Sequence, residues 1–274
     1  MNSKKTFIIL TTQRSGSTYL RIWLNSHADI RCHEEIFLSD YVAPESFCGY
    51  LTKRHFGSRM IRSLTKSRTT DGFLFRRYLR GFLNKIYSTI PPGTPMSEID
   101  RDSKPWAIDQ YCSAKWVGMK LMANQLASIP ALRDELISRN VHVISLVRKS
   151  NLEIYVSRVI AENRGIYHST EDLPEIQIDL DPDLAVREMQ QIFHSFENAK
   201  RQFEHCPGIT IYYENLFDER RQMAEMGRIM EFLGLSMDRL GPTPKLKKLV
   251  NQPIDQVVNN YSQIAKRLES QGLE

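Results

Sequence analysis

Nowhere in its 274 residues does this chain run to the ~20 consecutive apolar residues that a membrane-spanning helix needs. The first apolar run, Phe7 to Leu10, is too short for the core of an export signal. Neither an anchor nor a secretory leader is expected, and the chain reads as cytoplasmic. None of the four cysteines, Cys32, Cys48, Cys112 and Cys206, falls in a CxxC pair, which removes the commonest zinc and redox motifs. A chain this long folds without disulfides, so reduced thiols are the simpler reading. The seven histidines form no HxxxH or HExxH pattern, and no metal site is expected. A Walker A sequence, GxxxxGK[ST], is missing too, so routine ATP or GTP hydrolysis is not indicated. There is no internal repeat and no low-complexity segment.

What is present is the balance of an ordinary globular protein, 41% hydrophobic and 25% charged. The net charge of +5 suits an anionic ligand and equally suits solubility alone. Basic residues gather between Lys53 and Arg80, but as a spread rather than a dense stripe, and nucleic acid is not an expected partner.

Apolar runs and helical periods alternate along the chain. Phe7–Leu10, Trp116–Leu121, Val141–Val147 and Ile209–Tyr213 read as strands. Helical spacing covers Thr18–Asn25, a segment from Pro130, residues 152–165 closed by Gly165, residues 183–204, residues 218–233 closed by Gly234, and a last amphipathic helix carrying Val257, Tyr261, Ile264 and Leu268. That order predicts an α/β fold, a P-loop-like three-layer sandwich around a mostly parallel central sheet. Residues 1–274 read as a single domain with a helical insertion at about 40–110, including an amphipathic stretch over 70–88. Ligands of such sheets bind beyond the carboxyl ends of the strands.

Two junctions carry the chemistry. Thr12-Gln-Arg-Ser-Gly-Ser-Thr18 lies between a strand and a helix. A loop so placed aims backbone N–H groups and a helix N-terminus at one point. Gly16 permits close backbone approach, Ser15, Ser17 and Thr18 add hydroxyls, and Arg14 adds a rigid guanidinium fork suited to phosphate oxygens. A plain polar turn with Ser/Thr caps is the alternative. At the second junction Arg148 ends a strand. Ser157 lies on the next helix about 140° from the Leu152/Tyr155/Val156 stripe, available to a ligand. Between them, His33-Glu-Glu-Ile-Phe37 sets two carboxylates beside a histidine. Adjacent residues of an extended chain point to opposite sides, which is poor spacing for a metal.

Gln13-Arg-Ser-Gly-Ser-Thr-Tyr-Leu20 resembles the 5′-phosphosulfate loop of sulfotransferases that use 3′-phosphoadenosine 5′-phosphosulfate (PAPS). Similarity is greatest to the bacterial and carbohydrate-type branch that includes the trehalose sulfotransferases. The resemblance implies that Arg14 contacts the 5′-phosphate and that Ser15, Gly16, Ser17 and Thr18 cradle the phosphosulfate. It implies that Arg148 and Ser157 bind the 3′-phosphate, with Lys149 nearer the commoner spacing. It makes Glu35 the general base, with Glu34 as runner-up. Tyr212-Tyr-Glu-Asn-Leu216 resembles a bracing segment of the family, and Lys247 and Lys248 fall where the nucleotide is reached. A PAPS-dependent sulfotransferase is therefore expected, with the product 3′-phosphoadenosine 5′-phosphate (PAP), no metal, and a hydroxyl-bearing small molecule, glycan or glycolipid as acceptor. The competing readings are a P-loop kinase using ATP-Mg²⁺ on a small metabolite and a non-catalytic nucleotide-binding protein. The sequence is silent on oligomeric state.

Overall fold

The four-residue apolar run at Phe7 lacks the polar alternation of a half-solvated strand, so it must be covered on both faces. The computed structural model, which describes residues 5–35, 37, 79, 81–83 and 114–271, places it accordingly. Strand β1 (Lys5–Thr11) is central in a five-stranded sheet with β2 (Ile30–His33), β3 (Trp116–Met122), β4 (His142–Val147) and β5 (Gly208–Tyr212). The order is β2-β3-β1-β4-β5, and every pairing among these strands is parallel. Helices α1 (Ser17–Asn25), α2 (Ala123–Ser128), α3 (Pro130–Ile137), α4 (Asn151–Arg164), α5 (Pro182–Arg201), α6 (Tyr213–Leu216) and α7 (Gln222–Leu233) follow in chain order, then α8 (Ile254–Val257) and α9 (Tyr261–Glu269).

Side chains of period two sort into two cores. Phe7, Ile9, Trp116, Ile144 and Ile211 face Leu20, Trp23 and Leu24 of α1 and Met226, Ile229 and Leu233 of α7. Ile8, Leu10, Val117, Met119 and Leu121 face Leu126, Leu132, Leu136 and Phe196 of α2, α3 and α5. The result is the expected three-layer α/β sandwich. A third cluster packs α4 against the first half of α5 and α9. Because α1 and the α2–α3 pair cover opposite faces, the chain changes face at β1, and its carboxyl end opens a crevice.

Three local expectations are corrected. Strand β2 was hidden in a step of only four residues, where just Ile30 and Cys32 show the inward alternation. The last helix is two helices. The apolar phase runs through Val257 and Tyr261, but Asn260 between them exchanges two hydrogen bonds with the Leu180 backbone, and the chain turns there. Helix α7 begins at Gln222 rather than 218, because Asp218 instead heads a turn whose carbonyl accepts from the Arg221 and Gln222 amides. Gly165 and Gly234 take the left-handed caps expected, with φ of 64° and 63°. The 70–88 helix and the insertion at 40–110 lie almost wholly outside the described residues. Within them, residues 79 and 81–83 are helical, and Leu79, Phe82 and Leu83 are buried in the α2/α3/α5 core.

His33 ends β2 inside the protein. Burial, reinforced by Arg31 and Arg21, pushes its pKa down from 6.5 to about 3. An imidazole depressed by folding favours the native state above its unfolded pKa and loses that contribution as pH falls towards the folded one. Between pH 7 and pH 5 this group should cost the wild type about 2 kcal/mol. In His33→Gln the drop in melting temperature over that interval should shrink accordingly. An unchanged drop would show that His33 is not the titrating group.

Candidate active site

The loop after β1 is tightly constrained. Thr11 Oγ1 donates to the Leu146 carbonyl at 2.9 Å, tying the end of β1 to β4. The Thr12 and Ser15 hydroxyls lie 2.7 Å apart, so the buried Ser15 side chain ties the loop to itself. Arg14 and Gly16, flanking Ser15, both have positive φ, 60° and 76°. For Arg14 that is a strained conformation, and Arg148 Nη1 supports it by donating to the Arg14 carbonyl at 3.0 Å. Gly16 is required twice over. Besides its φ, a Cβ there would lie 2.8 Å from Tyr213 Cδ2 and 3.1 Å from Phe217 Cε2. Gly16 also heads α1, whose first amides receive no side-chain cap.

The two sequence junctions meet. Arg14 Nε donates to Ser157 Oγ at 3.1 Å, and its Nη1 donates to the Tyr167 carbonyl at 2.7 Å. Ser157 is buried on α4, 6% exposed, and opens towards the loop rather than to bulk solvent. Arg148 Nη2 pairs with Glu153 at 2.7 Å, and its guanidinium lies 4.4 Å from the centre of the Tyr213 ring. Its Nε is buried without a hydrogen-bond partner among the described residues. Arg14, Gly16, Ser17, Thr18, Arg148 and Ser157 all line one cavity. Burial, then the charge of Arg148, lowers the pKa of Arg14, the mark of cations crowded where negative charge would be welcome.

Part of the cavity lining is aromatic. The Tyr213 and Phe217 rings lie 4.8 Å apart at a 43° tilt, with Lys248 Nζ 5.7 Å and 5.6 Å from their centres. Lys247 forms an antiparallel bridge to Ser169 and an ion pair with Asp172, closing the segment after α4 against the one before α8. Lys149, by contrast, turns its ammonium to Tyr212 and gives its amide to Glu214. The Tyr212–Leu216 segment thus supplies both a brace, through Glu214, and part of the cavity wall, through Tyr213.

Glu34 and Glu35 stand just past the carboxyl end of β2. Strand alternation no longer governs them there, and both carboxylates turn to one ammonium. Lys120 Nζ lies 3.0 Å from Glu34 and 3.3 Å from Glu35, and donates to Thr18 Oγ1 at 2.9 Å. Arg21 of α1 also pairs with Glu34, and Gln125 Nε2 donates to Glu35 at 3.3 Å. Burial alone would raise the Glu34 carboxyl, but Lys120 and Arg21 outweigh it and hold the group below the usual range. His168 comes within 3.4 Å of Thr18, and burial, Lys120 and Arg14 push its pKa below the ordinary imidazole value. Among the described residues no cluster of three or more His, Cys, Asp or Glu side chains could hold a metal ion, and no helix is long and apolar enough to cross a membrane.

Lys120, His168 and Tyr213 were not singled out in the sequence. A signal existed for Lys120, a charge inside the otherwise apolar run Trp116–Met122, which demands a buried partner.

A five-stranded parallel sheet covered by helices on both faces, with the β1–α1 loop at its chain-reversal point, defines a three-layer α/β protein. The profile of the sulfotransferase family matches residues 6–239, and the chain belongs to that family. It is an enzyme of sulfuryl transfer. No curated protein matches the chain. Among solved structures it is similar to the sulfotransferase domain from the curacin biosynthetic pathway, at 13% identity over 98% of both chains, TM-score 0.47. It is also similar to the sulfotransferase domain of the Synechococcus PCC 7002 olefin synthase, at 16% identity over 100% of this chain and 90% of that one, TM-score 0.42. A shikimate kinase from Bacteroides thetaiotaomicron overlaps at 11% identity over 84% of this chain and 99% of that one, TM-score 0.41. At these scores the likenesses add nothing to the family match.

Proposed function

We propose that the enzyme moves the sulfuryl group of PAPS to a hydroxyl on a small molecule, glycan or glycolipid, with Glu35 as general base. The observation that carries this reading is the Arg14–Ser157 contact at 3.1 Å, which brings the two anion junctions into one cavity. The residues fit such a donor. Arg14, the α1 amides, Arg148 and Ser157 offer charge and N–H or O–H groups for two phosphate ends. The Tyr213/Phe217 wall with Lys248 suits an adenine base. When bound, PAPS supplies a sulfuryl group attached to a phosphate leaving group. Glu35 takes the proton of the acceptor hydroxyl. Arg14 and the α1 amides stabilise the negative charge that appears on the leaving side. The kinship to trehalose-type enzymes, the choice of acceptor by residues 40–110, and a cytoplasmic setting, consistent with the free thiols of Cys32 and Cys206, are parts of the same proposal.

Thermal unfolding with PAP and with ATP-Mg²⁺ tests the donor. At about 100 times its dissociation constant, PAP should add ~2.7 kcal/mol to stability. Stabilisation by ATP-Mg²⁺ and not by PAP would replace this reading with the kinase.

A further inference from the structure

Strand β3 runs between β1 and β2, with every residue buried. On its α1 side it presents Trp116, then Gly118, then Lys120. A lysine side chain only 3% exposed in such a strand is costly unless its charge is fully answered. Here it is. An ammonium has three N–H donors, and three oxygens surround Nζ: Thr18 Oγ1 at 2.9 Å, Glu34 Oε2 at 3.0 Å and Glu35 Oε1 at 3.3 Å. By hydrogen bonds to Thr18 and Glu34 and an ion pair with Glu35, Lys120 acts through its three partners.

We propose that Lys120 is the positioning residue of the transfer reaction, the cation that holds Glu34 and Glu35 together as an ionised pair and ties that pair to Thr18 at the head of the anion loop. This rests on the reading of Glu35 as base. Two carboxylates brought onto one point repel, and without a cation between them one takes up a proton. A protonated Glu35 cannot accept a proton from a hydroxyl. Lys120 therefore keeps the Glu35 carboxylate available as a proton acceptor.

The surrounding charges decide which carboxylate would yield. From α1, Arg21 grips Glu34 and not Glu35. From α2, Glu35 has only the neutral Gln125 amide, itself fixed by the Met122 amide at 3.2 Å. From β2, the buried Cys32 thiol faces Glu34 and Lys120, while Arg31 faces Cys32 and His33. From the segment after α4, His168 faces Glu34, Lys120 and Arg14. Among the described residues, then, Glu34 keeps a cation when Lys120 is removed and Glu35 does not. The proton goes to Glu35. The same arrangement makes Glu34 the permanent counter-charge and Glu35 the exchangeable one.

Side-chain carboxyl ¹³C NMR titration of the full chain tests this without knowledge of the acceptor, the Glu35 resonance being assigned by its loss in Glu35→Gln. In Lys120→Met the Glu35 titration should move up by about one unit or more. Adding Glu34→Gln to that variant should bring it back down, because the repelling neighbour is gone. Glu34→Gln alone, a change at a partly exposed side chain that spares the β3 core, should lower the Glu35 midpoint, since Glu35 then has the ammonium to itself. A Glu35 midpoint that stays put in Lys120→Met, or in Glu34→Gln should Lys120→Met fail to fold, overturns the proposal. The base reading is tested apart by turnover of Glu35→Gln. Full turnover there removes Glu35 from the chemistry and Lys120's role with it, whereas lost turnover with an unmoved midpoint condemns the Lys120 proposal alone.

Discussion

Glu35→Gln is expected to cut turnover about 10²- to 10⁴-fold while leaving the affinity for PAP unchanged. The amide is the same size as the carboxylate, keeps the Gln125 contact and cannot accept a proton from the acceptor hydroxyl. Its place outside the donor pocket protects binding, since among the described residues Glu35 reaches the β1–α1 loop through Lys120 and Thr18. The measurement is PAP release from PAPS with the hydroxyl acceptor returned by a labelled-donor screen, beside PAP binding by calorimetry. Wild-type turnover would remove Glu35 from the mechanism. A parallel loss of PAP affinity would mean that the substitution had disturbed the loop instead.

Arg14→Ala should fail in a different way. Its guanidinium joins α4 to the segment that follows, through Ser157 and the Tyr167 carbonyl, and in the proposed reaction it meets the charge on the leaving phosphate. Loss of one such donor typically lowers kcat about 10²- to 10³-fold. Loss of a charged hydrogen bond, worth about 1.5–3 kcal/mol, should also weaken PAP roughly 10- to 100-fold. Arg14→Lys should recover part of the affinity through charge and little of the turnover, because a point charge does not replace a planar fork. Equal PAP affinity in wild type and Arg14→Ala would exclude Arg14 from the donor site.

The framework and one half of the site were legible in the chain. The largely apolar runs at β1, β3 and β4 and the helical periods at α1, α4 and α5 report burial directly, whereas edge strand β5 buries only Ile211, and Gly165 and Gly234 punctuate where a left-handed residue is needed. The loop around Arg14 was visible because its residue types match an anion and its place between strand and helix gives them direction. Other features depend on tertiary neighbours that no local pattern encodes. Strand β2 is a strand because β3 offers Ile30–His33 a pairing edge, register Ile30 to Trp116. The convergence of Glu34 and Glu35 on Lys120 joins residues more than eighty positions apart. Tyr213 looked like part of a brace, and only packing shows its ring against Gly16.

That last contact couples the earliest and latest parts of the sheet. The turn at Gly16 is roofed by a ring contributed some two hundred residues later, and the strained Arg14 backbone is propped by Arg148 from the middle of the chain. A ribosome-bound segment ending before Tyr213 would carry the complete loop sequence yet lack the lid that shapes it. Nucleotide affinity should therefore emerge late in synthesis, as a property of the closed sheet rather than of its first strand and helix.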